Sequence, residues 1–216
     1  MKFDYKIIAS LVIALGGINA SASLLSNAVG IEAIGASATS NYGDPYTTSR
    51  TIDQSDLSGQ YISGVTSTSV IDGFTNLNRG NGWHGAYGDS TGSITFDLGT
   101  AYTLDRIYLF WMNAGGTNNI ANFSVDVSQD AAFTSYVIAA NFGVPSAAQN
   151  RIDFASLVTG EFVRLNWTSL QGSYPGLNEF IAGGVLAQAN NVPEPSSLAL
   201  LGIGLLGFAA VRKRKV

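Results

Sequence analysis

The run from Asp72 through Thr75, Asn76, Asn78 and Arg79 to Trp83 and His84 gathers most of the side chains in this sequence that suit binding chemistry. Asp72, Thr75, Asn76 and Asn78 are oxygen donors of the kind that hold Ca²⁺, although their spacing is not that of an EF-hand loop. An Asx-type turn before Gly73 also accounts for Asp72. Arg79, Trp83, His84 and Tyr87 lie in a glycine-rich stretch and offer an aromatic face with hydrogen-bonding groups around it. A pyranose ring needs that combination: an apolar face for its C–H bonds and a few placed donors and acceptors for its hydroxyls. Tyr42, Tyr46 and Tyr174 lie in other loop-like segments and could join them.

Catalysis has less to draw on. One histidine and no cysteine leave Ser-His-Asp as the only triad available, and no nucleophile-elbow motif is present. Thirteen carboxylates lie between residues 23 and 191, and nothing marks two of them as a glycosidase pair. A non-catalytic protein is expected.

The elements that must position these residues read as strands. Ile94–Leu98 alternates apolar and polar residues and ends at Gly99. Leu104–Met112 is apolar on both faces, which predicts a central strand covered on both sides. Phe123–Ser128 and Val163–Thr168 alternate, and Tyr136–Phe142 and Arg151–Phe154 are shorter candidates. No window carries a sustained 3.6-residue apolar period, so helices should be few and short. Residues 36–93 are irregular and rich in Ser, Thr, Gly, Asn and Asp, a length of loop that is usually functional or tied down. The pattern predicts an all-β fold, an antiparallel sandwich or barrel. Trp111 and Trp167 fall on apolar strand faces and are expected in the core, and Arg164 sits mid-strand opposite the apolar face.

The ends differ from the middle. Residues 1–22 have Lys2 and Lys6, then an apolar run from Ile7 to Ile18, then Ala20-Ser21-Ala22. That is the layout of a secretory signal peptide, with cleavage expected after Ala22. At the other end a linker, 187–191, leads to Val192-Pro193-Glu194-Pro195, an uncharged apolar stretch 196–211, and the basic tail 212–216. The stretch is long enough to cross a thin hydrocarbon core as a helix, and its basic end belongs on the cytoplasmic side. Between the ends, residues 23–191 hold five arginines, no lysine and thirteen acids, a net charge of −8. This acidity argues against nucleic acid as a partner.

Residues 192–216 resemble the PEP-CTERM sorting signal, with Pro193, Glu194 and Pro195 as its motif. The resemblance implies an exosortase as processing partner. It also implies a transient inner-membrane anchor in a Gram-negative, exopolysaccharide-making host, then a place at the cell surface or in the matrix. Residues 23–186 resemble the discoidin, or coagulation-factor type C, domain. The pieces come in order: Ile71-Asp72-Gly73 with Thr75, Trp83, Phe96-Asp97-Leu98-Gly99, Ser124–Asp130, Phe162–Leu165, and Gly176–Phe180. The family's tryptophan just before its Asp-Leu-Gly is missing here, where Ile94 and Thr95 stand. The resemblance implies a galactose-binding-like jelly-roll sandwich with ligand loops at one end, and a structural Ca²⁺ held by Asp72 and Glu179. It also implies that Trp83 and Arg164 are more often structural than ligand-facing. The expected partner is an extracellular polysaccharide or other glycan. The rival expectation is an adhesive matrix protein with no sugar pocket, and an aromatic groove at the loop end separates the two.

Overall fold

The computed structural model describes residues 24–77, 80, 82–112, 118–145 and 149–187. The signal residues Ala20 and Ala22, the motif Pro193-Glu194-Pro195, the apolar stretch 196–211 and Arg79 lie outside them. Among the described residues no helix is long and apolar enough to cross a membrane.

Among the described residues nine strands follow one another: β1 (Val29–Ile31), β2 (Gly35–Ala38), β3 (Trp83–His84), β4 (Gly92–Phe110), β5 (Asn118–Ser128), β6 (Tyr136–Phe142), β7 (Gln149–Gly172), β8 (Gly176–Leu177) and β9 (Glu179–Leu186). The helical content described is one 3-10 turn, Thr48–Thr51, and the four-residue α1, Thr68–Ile71. The main sheet runs β1-β9-β4-β7-β5-β6 with β2 also on β4, and every pairing is antiparallel. Pairs expected as separate strands are continuous: Ile94–Leu98 and Leu104–Met112 both fall in β4, which ends at Phe110, two residues earlier than expected, and Arg151–Phe154 and Val163–Thr168 both belong to β7.

The two long strands make the sandwich by changing layer halfway. Residues 92–97 of β4 pair with β2 and with 162–167 of β7, whereas 102–110 pair with β9 and with 149–160. Register shifts between Asp97 and Tyr102 and between Leu104 and Arg106 mark the crossing. Gly99 sits at this bend with φ +77°, and its N–H donates to Asp97 Oδ1 at 2.8 Å. A side chain is strained in that left-handed conformation. We therefore expect Gly99→Ala to cost about 1–2 kcal/mol, read as a melting temperature a few degrees lower with ligand binding unchanged.

The alternation on β4 divides the interior in two. Ile107, Leu109 and Trp111 enter the inter-sheet core with Trp83, Trp167 and Phe180. Phe96 stacks flat on Phe180 across that core, centroids 3.8 Å apart. Tyr108 and Phe110, on the other face, are covered by Leu57, Tyr61, Ile71 and Phe74 from the irregular 36–93 region. That region is the second cover the all-apolar strand required. The neighbouring buried charges are paired: Arg106 donates to both Asp105 oxygens at 2.9 and 2.8 Å, and Asp105 Oδ2 accepts from Leu25 N at 2.7 Å. Arg164 pairs with Asp126 at 3.3 Å and lies 3.9 Å over the Phe133 ring, the structural role expected of it.

Candidate functional site

A two-stranded ribbon sets the site. β3 pairs with β8 so that Trp83 faces Leu177 and His84 faces Gly176. Neighbouring residues of a strand point to opposite sides. Trp83 therefore goes into the core, fully buried, with Nε1 donating to Asn41 Oδ1 at 3.0 Å and its ring 5.8 Å from Trp167. His84 goes the other way, half-buried.

Around His84 three loops are held by main-chain hydrogen bonds. Tyr42 N donates to His84 O at 2.9 Å, His84 N to Tyr46 O at 3.3 Å, and Gly85 N to Pro175 O at 2.9 Å. A Cβ on Gly85 would lie 2.4 Å from Pro175 Cγ, so the approach of these two loops needs glycine there. The rings that result meet edge to face. His84 lies 4.5 Å from Tyr46 and 5.7 Å from Tyr174, and Tyr174 lies 5.6 Å from Tyr42 and 5.3 Å from Tyr87. Tyr42, Tyr46, His84, Tyr174 and Asn118, from the start of β5, line a pocket of about 250 Å³. None of these side chains is charged at neutral pH: burial lowers the His84 pKa, which keeps the imidazole neutral. The pocket thus offers aromatic edges, phenol hydroxyls, an imidazole and a carboxamide, and no catalytic pair.

The predicted residues fare unequally. His84 is in the pocket, and Tyr87 stands at its rim, 72% exposed, against Tyr174. Trp83 is corrected: its ring fills the core and cannot meet a ligand, because the strand alternation that turns His84 outward turns Trp83 inward. Arg79 lies outside the described residues. Asn118 was missed, because Asn113–Asn119 reads as a loop by composition and gives no sign of facing Tyr174.

Asp72 and Glu179 are given to different partners. Asp72, at the C-terminal end of α1, receives Arg151 Nη1 at 3.1 and 3.2 Å and the Tyr108 hydroxyl at 2.8 Å. A carboxylate already facing a guanidinium is a poor cation ligand. Glu179 is buried, and its Oε1 accepts from Asp56 N at 3.3 Å in the turn that also carries Asp53. Burial, with Asp53 beside it, pushes the Glu179 carboxyl up to about 9. Among the described residues no three His, Cys, Asp or Glu side chains form a ready metal cluster.

The F5/8 type C domain model matches residues 39–180, about two thirds of the chain. The chain belongs to the F5/8 type C domain family. The pocket of this F5/8 type C domain lies within the matched span. A second model, the PEP-CTERM protein-sorting motif, matches residues 191–215. No curated protein matches the chain. Solved structures share the fold of the domain. One is the family 32 CBM of NanJ from C. perfringens, solved with galactose. It is 15% identical with a TM-score of 0.54, covering 72% of this chain and 98% of that one. Another is a mutant of chitosan-binding module 1 from a chitosanase/glucanase of Paenibacillus sp. IK-5. It is 21% identical with a TM-score of 0.51, covering 69% and 93%. A third is CpGH89CBM32-5 from Clostridium perfringens, solved with GalNAc-β-1,3-galactose. It is 18% identical with a TM-score of 0.51, covering 68% and 93%.

Proposed function

We propose that this protein is an exported, non-catalytic carbohydrate-binding domain that is sorted to the cell surface or matrix by an exosortase acting on its C-terminal signal. The observation that carries the binding reading is the ring-lined, uncharged pocket of Tyr42, Tyr46, His84, Asn118 and Tyr174 at one end of the sandwich. Its chemistry suits a neutral sugar: rings against C–H faces, and hydroxyl, imidazole and amide groups for the sugar hydroxyls. The solved structures of the same fold include modules bound to galactose and to GalNAc-β-1,3-galactose, which supports the same class of ligand. An aromatic groove at the loop end also favours binding over the purely adhesive alternative. The test is retention of the chain on neutral polysaccharides, with His84→Ala expected to weaken it and a bound fraction equal to background overturning it.

A structural Ca²⁺ belongs to this reading, at a place other than Asp72. Glu179 and Asp56 are buried oxygen donors side by side, Asp53 stands at the surface beside them with Arg50 3.5 Å away, and no ion pair reaches Glu179 among the described residues. Ca²⁺ also takes main-chain carbonyls, so three converging carboxylates are not required. Bound there, the ion would supply the positive charge that lets Glu179 ionise in the interior. In chelator, the folded Glu179 holds its proton up to about 9, whereas the unfolded chain releases it near 4.5. The folded state then binds more protons, so the stability of the metal-free chain falls as pH rises through that window. With Ca²⁺ in large excess over its dissociation constant, the melting temperature should rise by roughly 5–10 °C and the downward slope with pH should disappear. A melting temperature indifferent to chelator at pH 8 rules the ion out.

A further inference from the structure

We propose a second carbohydrate site, on the outer face of the sheet formed by β5, β6 and β7, with a lining that shares no residue with the loop pocket. A groove of about 290 Å³ lies there, lined chiefly by Asn122, Ser124, Asn141, Phe142, Asn166 and Thr168. That volume is near the lower end of small-molecule sites, ~300–1,000 Å³, and suits one sugar ring.

The polar groups of the groove are pre-ordered. Asn122 Nδ2 donates to Ser169 Oγ at 2.8 Å, and Asn166 Nδ2 donates to Asp126 Oδ2 at 2.6 Å. Thr168 Oγ1 donates to Asn122 O at 2.8 Å. The carboxamides of Asn122 and Asn166 are thus held by their donor ends. Among the described residues no donor reaches the Oδ1 of Asn122 or of Asn166, and Asn141 is exposed with its amide unused. Fixed acceptors that cost no ordering on binding are what sugar hydroxyls require. No charged side chain lines the groove, and the nearest charges, Asp126 and Arg164, neutralise each other at 3.3 Å. An anionic or cationic ligand finds no counter-charge here, so the site takes a neutral sugar. The half-buried Phe142, packed 5.4 Å from Phe123, adds an apolar edge. Two sites on one domain would let a single chain bridge two polysaccharide strands, or bind one with added avidity.

The test titrates the ¹⁵N-labelled full-length chain, in detergent micelles, with galactose, glucose, mannose and N-acetylglucosamine. It is run on the unaltered chain and on His84→Ala/Tyr174→Ala. We expect the side-chain amides of Asn122, Asn141 and Asn166 to shift with at least one sugar on both backgrounds. Asn141→Ala, an exposed edge-strand change that leaves the ladder intact, should weaken that response about tenfold. Silence of these amides toward all four sugars, a response that vanishes with His84→Ala/Tyr174→Ala, or indifference to Asn141→Ala each overturns the second site. Because separate resonances report the two places, failure of the loop pocket leaves a positive groove result standing, and the reverse.

Discussion

Tyr174→Ala weakens the affinity of the loop pocket for neutral sugar about 30-fold, while the melting temperature of the chain moves by no more than a few degrees. Tyr174 is the hub of the pocket, in ring contact with Tyr42, His84 and Tyr87. It is half-buried and stands outside both hydrophobic clusters, so its removal leaves the interior filled. An aromatic anchor at the centre of a binding site commonly carries about 2 kcal/mol or more, some 30-fold in affinity. For a weak sugar binder that loss removes the loop pocket's share of retention and leaves only what the groove on β5, β6 and β7 supplies. Tyr174→Phe keeps the ring and removes only the hydroxyl, and should retain most of the binding. Measured by pull-down and by calorimetric titration, equal affinity for Tyr174→Ala and the unaltered chain would show that the sugar binds elsewhere.

Trp83→Ala should be the most damaging change at the site, and through stability. Its ring is fully buried between the β3–β8 ribbon and Trp167, and its Nε1–H satisfies Asn41. Truncating a buried tryptophan costs about 3–5 kcal/mol, and the cavity left behind adds to the lost transfer energy. For a domain of this size that corresponds to a melting temperature roughly 10 °C lower or more. Asn41 loses its partner at the same time, and Tyr42, whose N–H bonds to His84 O, is its chain neighbour. Binding should therefore fall as well, even though Trp83 never touches the sugar. Trp83→Phe separates the two effects: it restores most of the packing volume and should recover binding together with stability. Trp83→Ala with unchanged thermal unfolding would contradict the buried placement.

The contrast between these neighbours shows how far the sequence could be read. Ile107, Leu109 and Trp111 against Tyr108, Phe110 and Met112 announced a strand covered on both sides, and the two clusters found there follow that division. Trp111 and Trp167 were legible for the same reason, since a period of two is written in adjacent residues. The Trp83-His84 dipeptide was half legible. Its types suited a sugar, but which of the two faces outward depended on the β3–β8 pairing. Asp72 was legible only by type: a carboxylate before glycine, next to Thr75 and Asn76, has the composition of a cation loop, while its pairing with Arg151, 79 positions away, is written nowhere nearby.

By itself the sequence determined the all-β class, the short and sparse helices, the two-faced central strand and the family of the domain. These rest on local alternation and on ordered short motifs, which need no knowledge of what meets in space. Only the tertiary structure decided that Tyr42, Tyr46, His84, Asn118 and Tyr174 share one pocket, and that Glu179 turns to Asp53 and Asp56 rather than to Asp72. Those meetings join segments as far as 132 residues apart, from Tyr42 to Tyr174. They are set by ladder register and by the layer change within β4 and β7, and one residue of slip in either would point a different set of side chains into the site.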